Sequence, residues 1–587
     1  MLPHKSIEAR LQAAVSAALP GADISAVLVR PCPDPKFGDY QSNALMALAK
    51  ERKMNPRQLA TDVVAKLDVA EWCEKVEIAG AGFLNFRLKQ STLAESLQSA
   101  ARGAHLFFEK TTTPRSVVVD FSSPNVAKPM HVGHIRSTIL GDSLARTMRL
   151  LGHRVVTDNH IGDWGTQFGK LLVGWKTQLD RAALAADPIG EMERLYKTVN
   201  AAGEADPGVE AQARQELVKL QAGDQQYLHI WQEMIELSEE QFNTIYGRLG
   251  IEFDYTYGES FYNARLKGVV QELRDKGVAR ESEGAIAVFS DGTQPPKHDP
   301  FLKSEDGEWK PNPFLIQKSD GAANYGTTDL ATLAYRLETW HPDEIVYVTD
   351  GRQQLHFQQL FATFGRWHPE ARVKLAHVWF GSILGDDGKP FKTRSGETVK
   401  LAELLDEAEE RAYAVVSEKN AELPEPQRRE IARVVGLGAI KYADLLPNRQ
   451  SDYVFSWDKM LAFNGNTAPY VQYAYARIQS IFSKGGIQRT ELDTLKIAPA
   501  APEELSLARH LLNFGLTLEA VAEEYRPNFL CNYLYELAGH FARFFEKCPV
   551  LKAEPAERAS RLVLCDLTAR VLQQGLDVLG IETLEQM

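Results

Sequence analysis

Residues Ser122–Ser137 read SSPNVAKPMHVGHIRS and lie between two segments of different periodicity. Before them, Val117-Val118-Val119-Asp120-Phe121 is a short β-branched run of the kind that forms a buried parallel strand. After them, Ile135 to Gly152 carries apolar residues at helical spacing and closes on a glycine suited to a C-cap. Strand, loop and helix in that order is where α/β sheets hold phosphates, because the helix N-terminus offers free amides and a partial positive charge. Gly133 leaves room for a flat base or a backbone to approach. His131 and His134 share one side of the first turn, and Lys128 adds a mobile cation. No nearby Ser, Cys or carboxylate is placed as a covalent nucleophile, so the group points to binding and to stabilising charge on a pentavalent phosphorus. A lone His-x-x-His is better explained as a helix cap; the strand, glycine, lysine and helix around this one turn the reading toward chemistry.

HVGH after a first strand resembles the HIGH signature of class I aminoacyl-tRNA synthetases, with Val132 in the isoleucine position. The longer string SSPNVAKPMHVGHIRS is similar to that of the arginyl-tRNA synthetases in particular, and further matches run from the first hundred residues to the last few. The resemblance implies an α/β fold: a Rossmann-like nucleotide-binding catalytic domain with a helical insertion, a small N-terminal α+β domain and an all-α C-terminal anticodon-binding domain. The expected boundaries are 1–110, 111–420 with the insertion at about 176–249, and 421–587.

Bulk properties are those of a large, ordinary soluble globular protein. A chain of 587 residues is too long for one core, and its hydrophobic (44%) and charged (25%) fractions are those of a globular protein. No stretch approaches the ~18 apolar residues that span a bilayer. Lys5, Glu8 and Arg10 make the first segment an amphipathic helix and a poor signal peptide, so a cytoplasmic location is expected. Five cysteines without a C-x-x-C pair argue against a disulfide framework or a zinc knuckle, and no metal site is expected. The net charge of −12 argues mildly against nucleic acid, but a large acidic enzyme can still present one basic face to RNA.

Along the chain, helical patterning over Ile7–Leu19 leads through a Pro-rich loop to FGDYQSNALMALAK, and Val76–Leu88 alternates as a strand does. The resemblance makes this first unit the part that grips the tRNA elbow, with Lys36, Phe37, Tyr40 and Asn85 as contacts. Thr111–Pro114 reads as a linker. A second strand at Arg154–Thr157 runs into DNHIGDWGTQFGKLL, whose Asp163 and Trp164 stand at a strand's C-terminal end, where ligands sit. By resemblance Asp163, Trp164 and Gln167 serve the ATP and acceptor-end site. The Ala-, Glu- and Lys-rich segment from Lys176 to Leu249 carries no motif, and its charges read as a solvated face. Strand patterns resume at Tyr257–Ser260, Ala285–Phe289 and Pro313–Gln317. In Asn324–Arg336, Thr327 or Thr328 can cap a helix and Asp329 in its first turn favours the dipole. Tyr325 and Asp329 also match the Y-x-T-x-D of the family. Gln353 and His356, after the strand pattern Glu344–Gly351, match its Gln and His.

After a last strand pattern, Leu375–Gly381, comes a Gly- and Lys-rich loop. The class signature there is KMSKS; this chain instead has Lys389-Pro390-Phe391-Lys392-Thr393-Arg394, which keeps two lysines at that spacing. Gly436-Leu437-Gly438 begins like a dinucleotide fingerprint, but Lys441 stands where its third glycine should, inside a helical pattern. The remainder is helical throughout, with Tyr470, Tyr473, Tyr475 and Arg477 on one amphipathic helix. Such rings are core residues in most helices, yet Tyr and Arg together also stack on unpaired bases.

The resemblance implies arginine–tRNA ligation, with ATP and Mg²⁺, by a monomer. His131, Gly133, His134, Asp163, Trp164, Gln167, His356 and Lys392 are expected at ATP, with Lys128 and Lys389 as further catalytic cations. Asn125, Glu259, Tyr325, Asp329 and Gln353 are expected at arginine. Phe37, Tyr40, Asn85, Tyr470, Tyr473, Arg477 and Met587 are expected at tRNA. Two acids and a tyrosine suit a planar guanidinium, which carboxylates read in fork geometry. Two other classes fit parts of the sequence. Another HxGH adenylating enzyme is disfavoured by the absent Cys/His zinc pattern and by the helical C-terminal part. A tRNA-binding protein without catalysis is disfavoured by the intact HVGH and both acids.

Overall fold

The computed structural model describes residues 2–392 and 398–587, so Thr393 and Arg394 of the lysine-rich loop lie outside the described residues. The chain forms two compact units: Thr112–Ala414 with Ala443–Asp458, and Met1–Thr111 with Val415–Tyr442 and Lys459–Met587.

The first of these units is built on a four-stranded parallel sheet. Its strands are β1 (Ser116–Asp120), β2 (Arg154–Asp158), β3 (Glu344–Tyr347) and β4 (Lys374–His377), in the order β4-β3-β1-β2. Val117, Val118 and Val119 are fully buried, as a central strand covered on both faces requires. Helix α1 (Val132–Leu150) returns over the sheet and approaches closely at Gly141, where a Cβ would stand 2.1 Å from the Phe121 ring. Helix α2 (Tyr325–Trp340) brings the fully buried Arg336 to the C-terminal ends of β1 and β2. There it donates to Asp120 Oδ2 (2.6 Å) and Asp158 Oδ2 (2.8 Å). Three such buried charges stay folded only by neutralising one another, and removing one would leave the others uncompensated. Helix α3 (Gln354–Trp367) follows β3.

The insertion is helical, as expected. After Gln167–Gln178 come helices Arg181–Ala186, Pro188–Ala205, Pro207–Gln221 and Gln225–Leu249. The last four each begin at an aspartate, Asp180, Asp187, Asp206 and Asp224, whose side chain accepts from the first-turn amides. Those acids are helix caps rather than a merely solvated face. Ala285–Val288 and Phe314–Gln317 pair antiparallel, as strands. Tyr257–Ser260 does not form a strand. It runs into a 3₁₀ turn over Glu259–Tyr262, because Asp163 draws in both the amide and the hydroxyl of Ser260.

The lysine-rich loop rises from Ile383–Leu384, which pairs in parallel with Tyr453–Val454, and Phe391 stacks on Phe455 at 4.5 Å. Arg136, buried in the second turn of α1, lies 3.1 Å from Asp444 and donates to the Gly381 carbonyl (2.8 Å).

In the other unit, Arg30–Pro31, Tyr40–Ser42, Phe83–Leu88 and Cys73–Ala79 form an antiparallel sheet in that order. The stretch Val76–Leu88 is thus parts of two strands of a hairpin. The decoy glycines fall inside the helix Glu425–Leu445, and Gln472 and Ile581 pack where Gly438 has no side chain. The final residues dock: Ile581 is buried, and Glu582 pairs with Arg433 at 2.8 Å.

Candidate active site

His131 is the N-cap of α1. Its Nδ1 accepts from the Gly133 amide (3.1 Å), while His134 Nδ1 accepts from the His131 amide (3.1 Å). The cap and the chemistry are therefore not alternatives. Occupying each Nδ1 as an acceptor leaves the proton of each neutral ring on Nε2, and so fixes two donors. Burial pushes His134 down to about 3 and lowers His131 as well, so both imidazoles are neutral at physiological pH. Gly133 is needed because the His131 ring folds over it, 2.8 Å from where a Cβ would be. Lys128 is exposed, with its ammonium 5.7 Å from the Tyr196 ring of the insertion. Lys389 and Lys392 are exposed on the loop after β4.

The acids come from two different elements. Glu259 opens the 3₁₀ turn that Asp163 holds, the two bonds to Ser260 being 2.8 and 2.5 Å. No side chain fits at Gly258, where a Cβ would stand 2.2 Å from Asp163. Asp163, expected at ATP, thus has both carboxylate oxygens committed to Ser260 and acts as the support of Glu259. Asp329 lies in the second turn of α2, whose N-cap is Asn324, so neither a threonine nor Asp329 caps the helix. Thr327 instead donates to the Ile316 carbonyl, and Asp329 Oδ2 is 2.7 Å from His356 Nε2. His356, expected at ATP, is placed with the acids, its ring 5.0 Å from that of Tyr325. Tyr325 is 60% exposed.

Burial pushes the Glu259 carboxyl up to about 7; His160 opposes the shift, and the charges of Asp329 and Asp163 add to it. The pocket is thus short of positive charge. Asn125 and Gln353 are exposed, the former on a backbone bridge with Gly162 and the latter just ahead of α3. Trp164 packs edge-on against Trp231 of the insertion at 5.6 Å, and Gln167 begins the helix that follows.

The expected tRNA residues divide. Phe37 is 49% exposed, but Tyr40 and Asn85 are buried, Tyr40 against His4 and Asn85 inside the hairpin. Tyr40 shares the core face with its pair Phe86, and Asn85 is covered on the opposite face beside Gln41, so neither side chain is exposed. Tyr473, Arg477 and Met587 line one cavity of about 550 Å³ together with Lys484 and Lys552, and Arg477 lies 4.4 Å over Phe545. Tyr470 lines a separate cavity beside Tyr535, and Tyr475 is a core residue. The Arg336 cluster was missed in the sequence because a mid-helix arginine carries no local sign of burial. His160 stood inside a quoted motif, but nothing local showed that its charge would bear on Glu259.

A parallel sheet with HVGH at the first helix N-terminus and a lysine loop after its last strand defines a class I aminoacyl-tRNA synthetase. The family model described as "tRNA synthetases class I (R), catalytic domain" matches residues 97–457. "DALR anticodon binding domain" matches 471–587 and "Arginyl tRNA synthetase N terminal domain" matches 5–88. The chain belongs to the arginyl-tRNA synthetase family. It is 47% identical to the arginine–tRNA ligase of Chromobacterium violaceum, with all of both chains covered. It is 45% identical to that of Hahella chejuensis, over 99% of this chain and 100% of the other. The solved arginyl-tRNA synthetase of Thermus thermophilus superposes with a TM-score of 0.82 at 26% identity, with all of both chains covered. Among the described residues no helix is long and apolar enough to cross a membrane.

Proposed function

We propose that this chain ligates L-arginine to tRNA-Arg in two steps. The carboxylate of arginine attacks the α-phosphate of ATP, giving arginyl-adenylate and pyrophosphate. The arginyl group then passes to the terminal adenosine of the tRNA, releasing AMP. The observation that carries the reading is the pair Glu259 and Asp329. Two half-buried acids bear on one another, and no lysine or arginine is ion-paired to either among the described residues. A guanidinium supplies the missing charge and matches the fork geometry of carboxylates. Tyr325, Asn125 and Gln353 complete that pocket, and His356 orients Asp329.

At the phosphates, the Nε2 protons of His131 and His134 are neutral donors held in place before the reaction, and Lys128, Lys389 and Lys392 bring mobile charge. Trp164 and Gln167 stand beside the acceptor end. No group of three or more His, Cys, Asp or Glu among the described residues is disposed to hold a metal. Mg²⁺ bound with the nucleotide would neutralise its outer phosphates. Residues 1–110 take the tRNA elbow through Phe37, 111–420 together with the returning segment 443–458 catalyse, and the rest of 421–587 reads the anticodon with Tyr473, Arg477 and Met587 at their shared cavity and Tyr470 nearby. The enzyme acts as a cytoplasmic monomer.

The test is pyrophosphate exchange and aminoacylation with each amino acid, with and without tRNA-Arg. Charging with arginine alone supports the reading; exchange driven equally well by another amino acid defeats it.

A further inference from the structure

The signature loop holds three non-glycine residues in the left-handed region: Ser122 (φ 73°), Ser123 (φ 49°) and Ala127 (φ 61°). Each costs free energy that a loop sustains only when its surroundings over-determine the conformation. Ser137 and Thr138 of α1 hold Ser122 from within the signature segment, through its amide (2.8 Å) and its hydroxyl (2.9 Å), and the helix Gln225–Leu249 at the end of the insertion holds the loop from outside. Its Ser238 accepts the Ala127 amide at 3.0 Å. Its Tyr246 hydroxyl lies 2.8 Å from Ser122 Oγ and accepts from Asn159 Nδ2 at 3.1 Å, while Asn159 Oδ1 accepts the Ser123 amide at 3.0 Å. Ser238, Tyr246, Asn159 and Ser122 are all buried, so water does not compete for these bonds.

We propose that Ser238 and Tyr246 are positioning residues for adenylate formation: they lock the three left-handed residues and so set the approach of the HVGH loop to the phosphates. A segment without any sequence motif thereby becomes part of the catalytic machinery. Burial holds the Tyr246 phenol up to about 12, so the hydroxyl keeps its proton throughout the working range. The Tyr246 ring also packs on Phe253 at 5.0 Å, a contact that phenylalanine retains.

This inference rests on the ligase reading, and wild-type arginine-dependent exchange in the presence of tRNA-Arg tests that reading separately. Tyr246→Phe and Ser238→Ala are compared with Thr244→Ala, an exposed position on the same helix. Both lock variants are expected to melt near the wild type and to lose roughly tenfold or more in kcat, because small misplacement of a positioned group costs that much. Their KM for arginine should change less than kcat, since Glu259 and Asp329 stand on other elements and only Asn125 of the arginine pocket lies in the loop. Adding Ala127→Gly to Ser238→Ala should restore part of the lost kcat, because glycine adopts φ near +60° without the Cβ penalty. Unchanged kcat in both lock variants, a parallel loss in Thr244→Ala, or no recovery with Ala127→Gly would overturn the proposal.

Discussion

Replacing Asp329 by Asn probes the substrate pocket with little change in shape. Asp329 stands in the second turn of α2 and caps nothing, so the helix itself should be unaffected. An asparagine oxygen can still accept from His356 Nε2, now 2.7 Å from Oδ2, so the local bond survives and only the charge is lost. A charge-assisted hydrogen bond to a guanidinium is worth about 1.5–3 kcal/mol, which predicts a rise of roughly 10- to 150-fold in the KM for arginine. The KM for ATP should barely move.

Glu259 adds a second readout. Its carboxyl is held at about 7, above the ordinary 4.5, so below pH 7 it is largely neutral in the free enzyme and pairs poorly with a cation. Wild-type KM for arginine should therefore rise as pH falls through 7. Because Asp329 is one of the charges holding that carboxyl up, Asp329→Asn should move the break to lower pH. The sign for folding is the reverse of the usual carboxylate. A raised folded value means that ionised Glu259 opposes the folded state: the cost builds as pH rises from about 4.5, is complete above about 7, and is relieved by bound arginine. Arginine should accordingly raise Tm more at pH 8 than at pH 6. The measurements are steady-state exchange from pH 6 to 8.5 and thermal shift with arginine. An Asp329→Asn enzyme with unaltered arginine KM and an unmoved pH break would refute the assignment.

Other outcomes follow from the same geometry. His134→Ala should cut adenylate formation by about 3 kcal/mol of transition-state stabilisation; near wild-type exchange rates would remove the loop from the mechanism. Arg336→Met leaves Asp120 and Asp158 buried without their cation and should cost about 3–5 kcal/mol in chemical denaturation, so a midpoint close to wild type would contradict the cluster as drawn. Binding of tRNA-Arg, followed by filter retention, should weaken steeply with salt despite the acidic chain, and a flat salt response would speak against phosphate contacts.

The order of elements around Ser122–Ser137 was legible because it depends on local pattern: a β-branched run, a loop with glycine and a helical repeat. The parallel strands and the helical insertion were legible for the same reason. Asp329 was misplaced because the helix begins earlier than its polar residues indicate; Gly326 packs where a Cβ would stand 2.5 Å from Phe314, a contact between distant segments. Tyr40 and Asn85 were expected to meet tRNA, but register pairs Tyr40 with Phe86 on the core face and covers Asn85 on the other, a pairing between distant segments that local pattern does not show. Glu259 was singled out by the family resemblance, in a strand pattern that the structure folds into a 3₁₀ turn, and its raised affinity for a proton arises from burial and from partners 96 and 70 residues away, Asp163 and Asp329.

The ion pair between Arg136 and Asp444, and the pairing of Ile383–Leu384 with Tyr453–Val454, give the polypeptide an interleaved order. The chain leaves the catalytic unit after Ala414, contributes Val415–Tyr442 to the other unit, returns for Ala443–Asp458 and departs again. No single continuous gene fragment therefore encodes the catalytic half. A piece ending at residue 414 would strand the Arg136 guanidinium inside an apolar shell and strip the lysine loop of the strand on which it is seated. Duplication or exchange of domains in such a chain has to carry residues 443–458 along, which ties the inheritance of the chemistry to that of the helices on either side.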